Sequence, residues 1–157
     1  MVKKNMKYVS TRDNSKEFNF EKVFIKGLAD DGGLYVPTSI KKYSPQELQE
    51  LKKLSYNELS IEIINLFSSD FISKDELSSL IKNSYSTFRE KEVVKLSNVG
   101  KIKLLELFHG PTLAFKDVAM QFIGNLYEYY LGKNEKKINI FVATSGDTGA
   151  AAIDAIR

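Results

Sequence analysis

Cysteine is absent from the 157-residue sequence, which excludes a disulfide framework, a thiolate nucleophile and any cysteine-based metal centre. Histidine occurs once, as His109, too few for a zinc site that usually needs several nitrogen or sulfur ligands. No apolar run approaches the ~20 residues that span a bilayer. Met1 to Lys7 carry charge with no apolar run behind them, unlike a secretory leader, and Met6 is an alternative start to Met1. Charge of one sign is also scarce. The 23 basic and 20 acidic residues leave a net charge of +3, and the lysines are scattered in pairs, so charge gives no reason to expect a nucleic-acid partner. The expectation is a cytoplasmic protein with no metal, membrane or nucleic-acid partner.

What is present suits a globular chain. The composition is 43% hydrophobic, with ten Phe and eight Tyr, enough bulky apolar surface to build a core and to set disorder aside. The length fits one domain, or a small domain and the start of another. Residues 6–11 read as a strand, and Phe20, Val23, Phe24 and Leu28 recur at helical spacing. Asp30-Asp31-Gly32-Gly33 is expected to end that helix, and Leu34 to Pro37 to run extended. Over residues 44–86 three helices are predicted from capping boxes, Ser44 with Glu47, Ser55 with Glu58 and Ser73 with Glu76, with Pro45 at the favoured first position. Their apolar stripes predict mutual packing and no chemistry.

After Thr87 the character changes. Residues 102–108 read as a strand, His109 to Thr112 as a turn, and Lys116 to Leu131 as a helix ended by Gly132. Its expected buried side is Ala119, Phe122, Ile123, Leu126, Tyr127 and Tyr130. Residues 138–143 are nearly all apolar, as in a parallel strand covered on both faces. Residues 144–149 form a polar turn, and a further helix begins at 150–152. This order predicts a parallel α/β sheet. Two strands and one crossover cannot cover such a sheet, so the chain is expected to be part of a longer protein.

Two segments carry chemistry. Lys116 follows Ala114 and Phe115 at the start of a helix, where burial and the helix N-terminus both disfavour an ammonium. Such an amine is suited to condensing with an aldehyde; the alternative is a lysine that reaches solvent beside Asp117. Thr144-Ser145-Gly146-Asp147-Thr148-Gly149 lies between an apolar strand and a helix, where open α/β sheets collect anionic ligands. The alternative is a plain capping turn with Asp147 or Thr148 as the cap.

Together these segments carry a family likeness. Glu106, Thr112 and Ala114 to Met120 resemble the pyridoxal-phosphate (PLP) attachment signature of the serine/threonine dehydratase group. More narrowly, ELFHGPTLAFKD at 106–117 and ATSGDTGAAA at 143–152 are similar to segments of the threonine synthase family. YVSTRD at 8–13 and GLADDGGLYVP at 27–37 resemble its N-terminal region, whereas residues 38–95 add little. The resemblance implies an α/β fold: a mainly helical N-terminal subdomain with a few short strands over residues 1–95, then the truncated beginning of a PLP-binding parallel-sheet domain over 96–157.

It also implies an activity, conversion of O-phospho-L-homoserine and water to L-threonine and phosphate. Lys116 would be the catalytic residue, bonding to PLP and then shuttling protons at the substrate Cα and Cβ. Asp147 and Ser145 would contact the cofactor. His109, Thr112, Ser145, Gly146 and Thr148 would contact substrate, although His109 and Thr112 are equally suited to ordering their loop. The family's later glycine-rich loop for the PLP phosphate, and its group facing the pyridine nitrogen, have no counterpart here, so the fragment alone is expected to be inactive. The competing expectations are a non-catalytic folding or interaction module and another PLP lyase of the dehydratase group. Monomer and homodimer are both left open.

Overall fold

Each predicted capping box is formed, and each starts a helix. In the structure, a computed structural model that describes residues 5–135 and 137–156, Ser44 and Glu47 bond reciprocally at the start of α2 (Pro45–Leu51). Ser55 and Glu58 do the same for α3 (Tyr56–Ser68), as do Ser73 and Glu76 for α4 (Lys74–Tyr85). Each box satisfies N–H groups that a helix start leaves without intrahelical partners.

Glu47 also pairs with Lys41 at 2.9 Å. The Ser44 backbone bond first, and then Lys41, pull its carboxyl down from 4.5 to about 2. A depressed carboxyl stabilises the fold above its unfolded value and loses that contribution as pH falls through the folded one. The Ser44 amide should therefore stay protected from hydrogen exchange at pH 5 and lose protection as pH approaches 2; protection unchanged at pH 2 would contradict this.

The described residues form two compact units, divided between Ser78 and Ser79. In the first, β1 (Tyr8–Ser10) pairs antiparallel with β2 (Tyr35–Pro37), Val9 opposite Val36. Helix α1 (Phe20–Lys26), capped by Asn19, ends earlier than the Asp-Gly turn suggested. Gly27 takes φ 71° and donates to Val23, a helix stop that glycine adopts without steric cost. Leu28 therefore lies outside the helix and bridges to Leu34, while Asp31–Gly33 make the tight turn between them. Phe20 stacks on Phe24 at 5.9 Å and meets Phe71 at 5.7 Å. Tyr8 donates to the Phe67 carbonyl at 2.7 Å, and burial, helped by Asp70, raises its phenol to about 12.

In the second unit, β4 (Ile102–Glu106) pairs antiparallel with β3 (Lys95–Val99), a strand whose mixed Lys-Leu-Ser-Asn-Val sequence gave no alternating signal. The two-residue link Gly100-Lys101 closes the hairpin, with Gly100 at φ 61°, the left-handed value that such tight turns need. The expected parallel sheet is not formed among the described residues. Residues 138–143 pair with no strand there, and Phe141 is 94% exposed. An apolar run supplies side chains for a two-sided strand, but a ladder also requires neighbouring strands.

Helix α5 (Asp117–Asn134) runs through Gly132 and ends at Glu135, which takes the left-handed conformation and donates to Leu131. Leu126 and Tyr130 are buried as expected, but so are Asp117, Gln121 and Gly124, a rotation that leaves Ala119 exposed. The rotation has a polar cause. Gln121 donates to Asp154 at 2.8 Å, on α6 (Asp147–Ala155), and Gly124 lies against the Ala155 backbone. Helices α5 and α6 therefore pack together where Gln121 and Gly124 of α5 meet Asp154 and Ala155 of α6.

Candidate functional site

The loop between β4 and α5 is built from its carboxylates. Glu106, at the end of β4, accepts from the His109 ring Nε2 at 2.8 Å and from the Ser97 hydroxyl of β3. These bonds, Ser97 first and His109 second, lower the Glu106 carboxyl. The His109 ring packs 4.7 Å from Phe108, and its carbonyl accepts from Arg89 N–H at 2.9 Å. His109 is thereby held at both ring and backbone. A second carboxylate, Asp117, accepts from the Thr112 N–H at 2.8 Å and from its hydroxyl at 2.7 Å. Between them Leu113 adopts φ 65°, a conformation that is uncommon outside glycine and stores local strain.

Lys116 is the residue just before α5, in helical conformation with no side-chain cap. It is half-buried, less sheltered than expected, because Phe115 beside it is 56% exposed. Its Nζ lies over that ring, 4.3 Å from the centroid, a contact that favours a cation. The side chain of Asp117 is turned to Thr112, away from the solvent pairing that a surface lysine would use.

The second segment starts α6 one residue sooner than Asp147 or Thr148 could act as cap. Gly146 is the N-cap, at φ 141°, a backbone setting essentially restricted to glycine. No residue at the N-cap supplies a side-chain bond. Instead Thr144, which the sequence reading did not single out, accepts from Gly146 N–H at 3.2 Å and Gly149 N–H at 3.0 Å. The N–H groups of Asp147 and Thr148 are left without an acceptor among the described residues. Ser145 and Asp147 are exposed and Thr148 half-buried. Open N–H groups, flanking hydroxyls and the positive end of a helix suit a carboxylate or phosphate.

Lys116 and the 144–146 turn each stand directly before one of the two helices, α5 and α6, that pack on each other through Gln121–Asp154 and Gly124–Ala155, and the His109–Thr112 loop leads into the first of them. The clearest signals missed in the sequence are Asp117 and Thr144, whose short polar side chains bond to backbone N–H groups a few residues away. Short polar side chains commonly bond to backbone N–H groups at this spacing.

Comparison with known proteins places the chain in a family. A family model described as "Threonine synthase N terminus" matches residues 7–85. The chain is 45% identical to threonine synthase of Schizosaccharomyces pombe, covering 96% of this chain and 31% of that protein. It is 46% identical to the Saccharomyces cerevisiae enzyme, covering 96% and 32%. The crystal structure of PLP-bound threonine synthase from Brucella melitensis superposes with a TM-score of 0.91 at 39% identity, over 97% of this chain and 33% of that one. The chain thus spans about a third of the length of the relatives it matches, and the helices with small two-stranded sheets follow the fold of the matched part. The chain belongs to the threonine synthase family.

Proposed function

We propose that residues 106–152 supply the lysine anchor and the carboxylate-binding turn of a PLP-dependent threonine synthase, which converts O-phospho-L-homoserine and water to L-threonine and phosphate. The observation that carries this reading is the packing of α5 on α6, two helices that open directly after a half-buried amine and after a turn with open N–H groups. The donor set fits the cofactor, offering an amine for its aldehyde and N–H and hydroxyl donors for anions. PLP, when bound, supplies an electron sink that makes protons at the substrate Cα and Cβ removable. Lys116 Nζ would be the residue that holds the cofactor, and its amine would carry the protons at the substrate Cα and Cβ.

Ser145, Gly146 and Thr148 hold the substrate carboxylate through hydroxyl and N–H groups, while Asp147 and Ser145 border the cofactor. His109 faces substrate with its ring set by Glu106. Thr112 orders the loop, because its N–H and hydroxyl are both given to Asp117. Residues 96–157 open the cofactor domain in this reading, and 1–95 form the N-terminal domain. Alone, the 157-residue chain should release no phosphate from O-phospho-L-homoserine in the presence of PLP.

The test is selective capture. The chain is incubated with limiting PLP, fixed with borohydride and mapped by mass spectrometry of its peptides. One dominant adduct is expected on Lys116, and Lys116→Ala should remove it without raising any other lysine to comparable occupancy. An even spread over the surface lysines would refute the assignment.

A further inference from the structure

We infer that Asp117 is a positioning residue for Lys116, a buried carboxylate that fixes the loop ahead of the lysine and so aims its amine. The inference rests on the reading of Lys116 given above and adds to it the device that holds the lysine in place.

Asp117 is 0% exposed, an unusual state for a carboxylate that has no cationic partner among the described residues. Burial of this kind is tolerated only where hydrogen bonds replace water. Here both oxygens are occupied by one residue, Thr112, through its N–H to Oδ2 at 2.8 Å and its hydroxyl to Oδ1 at 2.7 Å. The five-residue closure folds the segment back on the first turn of α5, where a negative charge also suits the helix end. Gly110 completes the fit. A Cβ built there would lie 2.4 Å from the Asp117 Cβ and Oδ2, so the loop backbone sits directly on the carboxylate.

Leu113, with φ 65°, and its N–H bond to the Gly110 carbonyl at 3.2 Å show how tightly the turn is closed. A strained conformation of this kind persists only when its surroundings over-determine it, and the Asp117–Thr112 pair supplies that constraint. Lys116 is the adjoining residue, with no side-chain bond of its own at the helix start. The direction of its Cα–Cβ bond is therefore set by neighbours that Asp117 holds.

The variants Thr112→Val, Asp117→Ala and Asp117→Asn separate this role from plain stabilisation. Thr112→Val keeps the backbone N–H bond and loses only the hydroxyl. Asp117→Asn keeps the shape and one acceptor. Each is put through PLP capture with borohydride, and the share of adduct on Lys116 is divided by that on the remaining lysines. Circular dichroism and thermal midpoints run in parallel.

Positioning requires the Lys116 share to fall at least fivefold in Asp117→Ala and in Thr112→Val, and Asp117→Asn to restore more than half of it. Should Asp117→Ala fail to fold, Thr112→Val alone decides the matter. A folded Thr112→Val with an unchanged Lys116 share, whatever its thermal midpoint, overturns the inference and leaves the function reading standing. Absence of any Lys116 preference in the unsubstituted chain removes the function reading, and this inference falls with it.

Discussion

Replacing Gly124 by valine is expected to part α5 from α6, whereas alanine at Gly132, eight residues later in the same helix, should strengthen α5. A Cβ at Gly124 would lie 2.3 Å from the Ala155 carbonyl oxygen and 3.0 Å from its carbonyl carbon and Cβ. Backbone cannot swing aside as a flexible side chain can, so the helices must separate. Overpacking of this kind costs about 1–3 kcal/mol and occasionally more, and a branched side chain at a backbone contact belongs at the upper end. Around Gly132 nothing lies within 4 Å of the added Cβ. There, exchanging glycine for alanine inside a helix should contribute roughly 0.5–1 kcal/mol of stability. Urea denaturation of the two variants decides the point. Shifts of the same sign would show that the contact of Gly124 with Ala155 does not limit the approach of the helices.

A comparable loss is expected in the first unit from Leu77→Ala. Leu77 is 0% exposed and sits in the first half of α4. Deleting a buried leucine side chain removes its transfer free energy and leaves a cavity, together about 2–5 kcal/mol. On the scale of a domain whose whole stability is ~5–15 kcal/mol, that is a large fraction. The effect should be read by hydrogen exchange at α3 and α4 amides, since two compact units need not unfold together. A loss below about 1 kcal/mol there would mean that the pocket collapses around the smaller side chain. The contrasting control is Leu48→Ala, because Leu48 is 53% exposed and little apolar surface is returned to water.

Much of the helical framework was legible before any coordinates. Ser44, Ser55 and Ser73 each stand three residues before a glutamate, and a capping box is a local device whose partners are covalently near one another. The lysine loop and the 144–149 turn were legible for another reason, as segments similar to one family. Where the reading went wrong, the deciding partner was far away. Hydrophobicity points to Ala119 on the buried side of α5, yet Gln121 and Gly124 are buried in its place because α6 meets them with Asp154 and Ala155. Helix α1 stops at Gly27 and not at the Asp-Gly pair, although both were available stops. The bridge of Leu28 to Leu34 draws the chain into the sheet region before the helix can continue.

The sequence by itself determined where the capped helices begin, that cysteine chemistry is excluded, and which lysine lies in the segment that resembles the family's. These are local or compositional properties, settled by groups a few bonds apart. Tertiary structure alone decided that Asp117 turns inward to Thr112, that Thr144 rather than Asp147 serves the turn before α6, and that residues 102–106 join a hairpin with 95–99. It also decided that Lys116 is only half sheltered, over an exposed ring. Burial, strand pairing and the direction of a side chain depend on what packs alongside, and that is set by the whole chain at once.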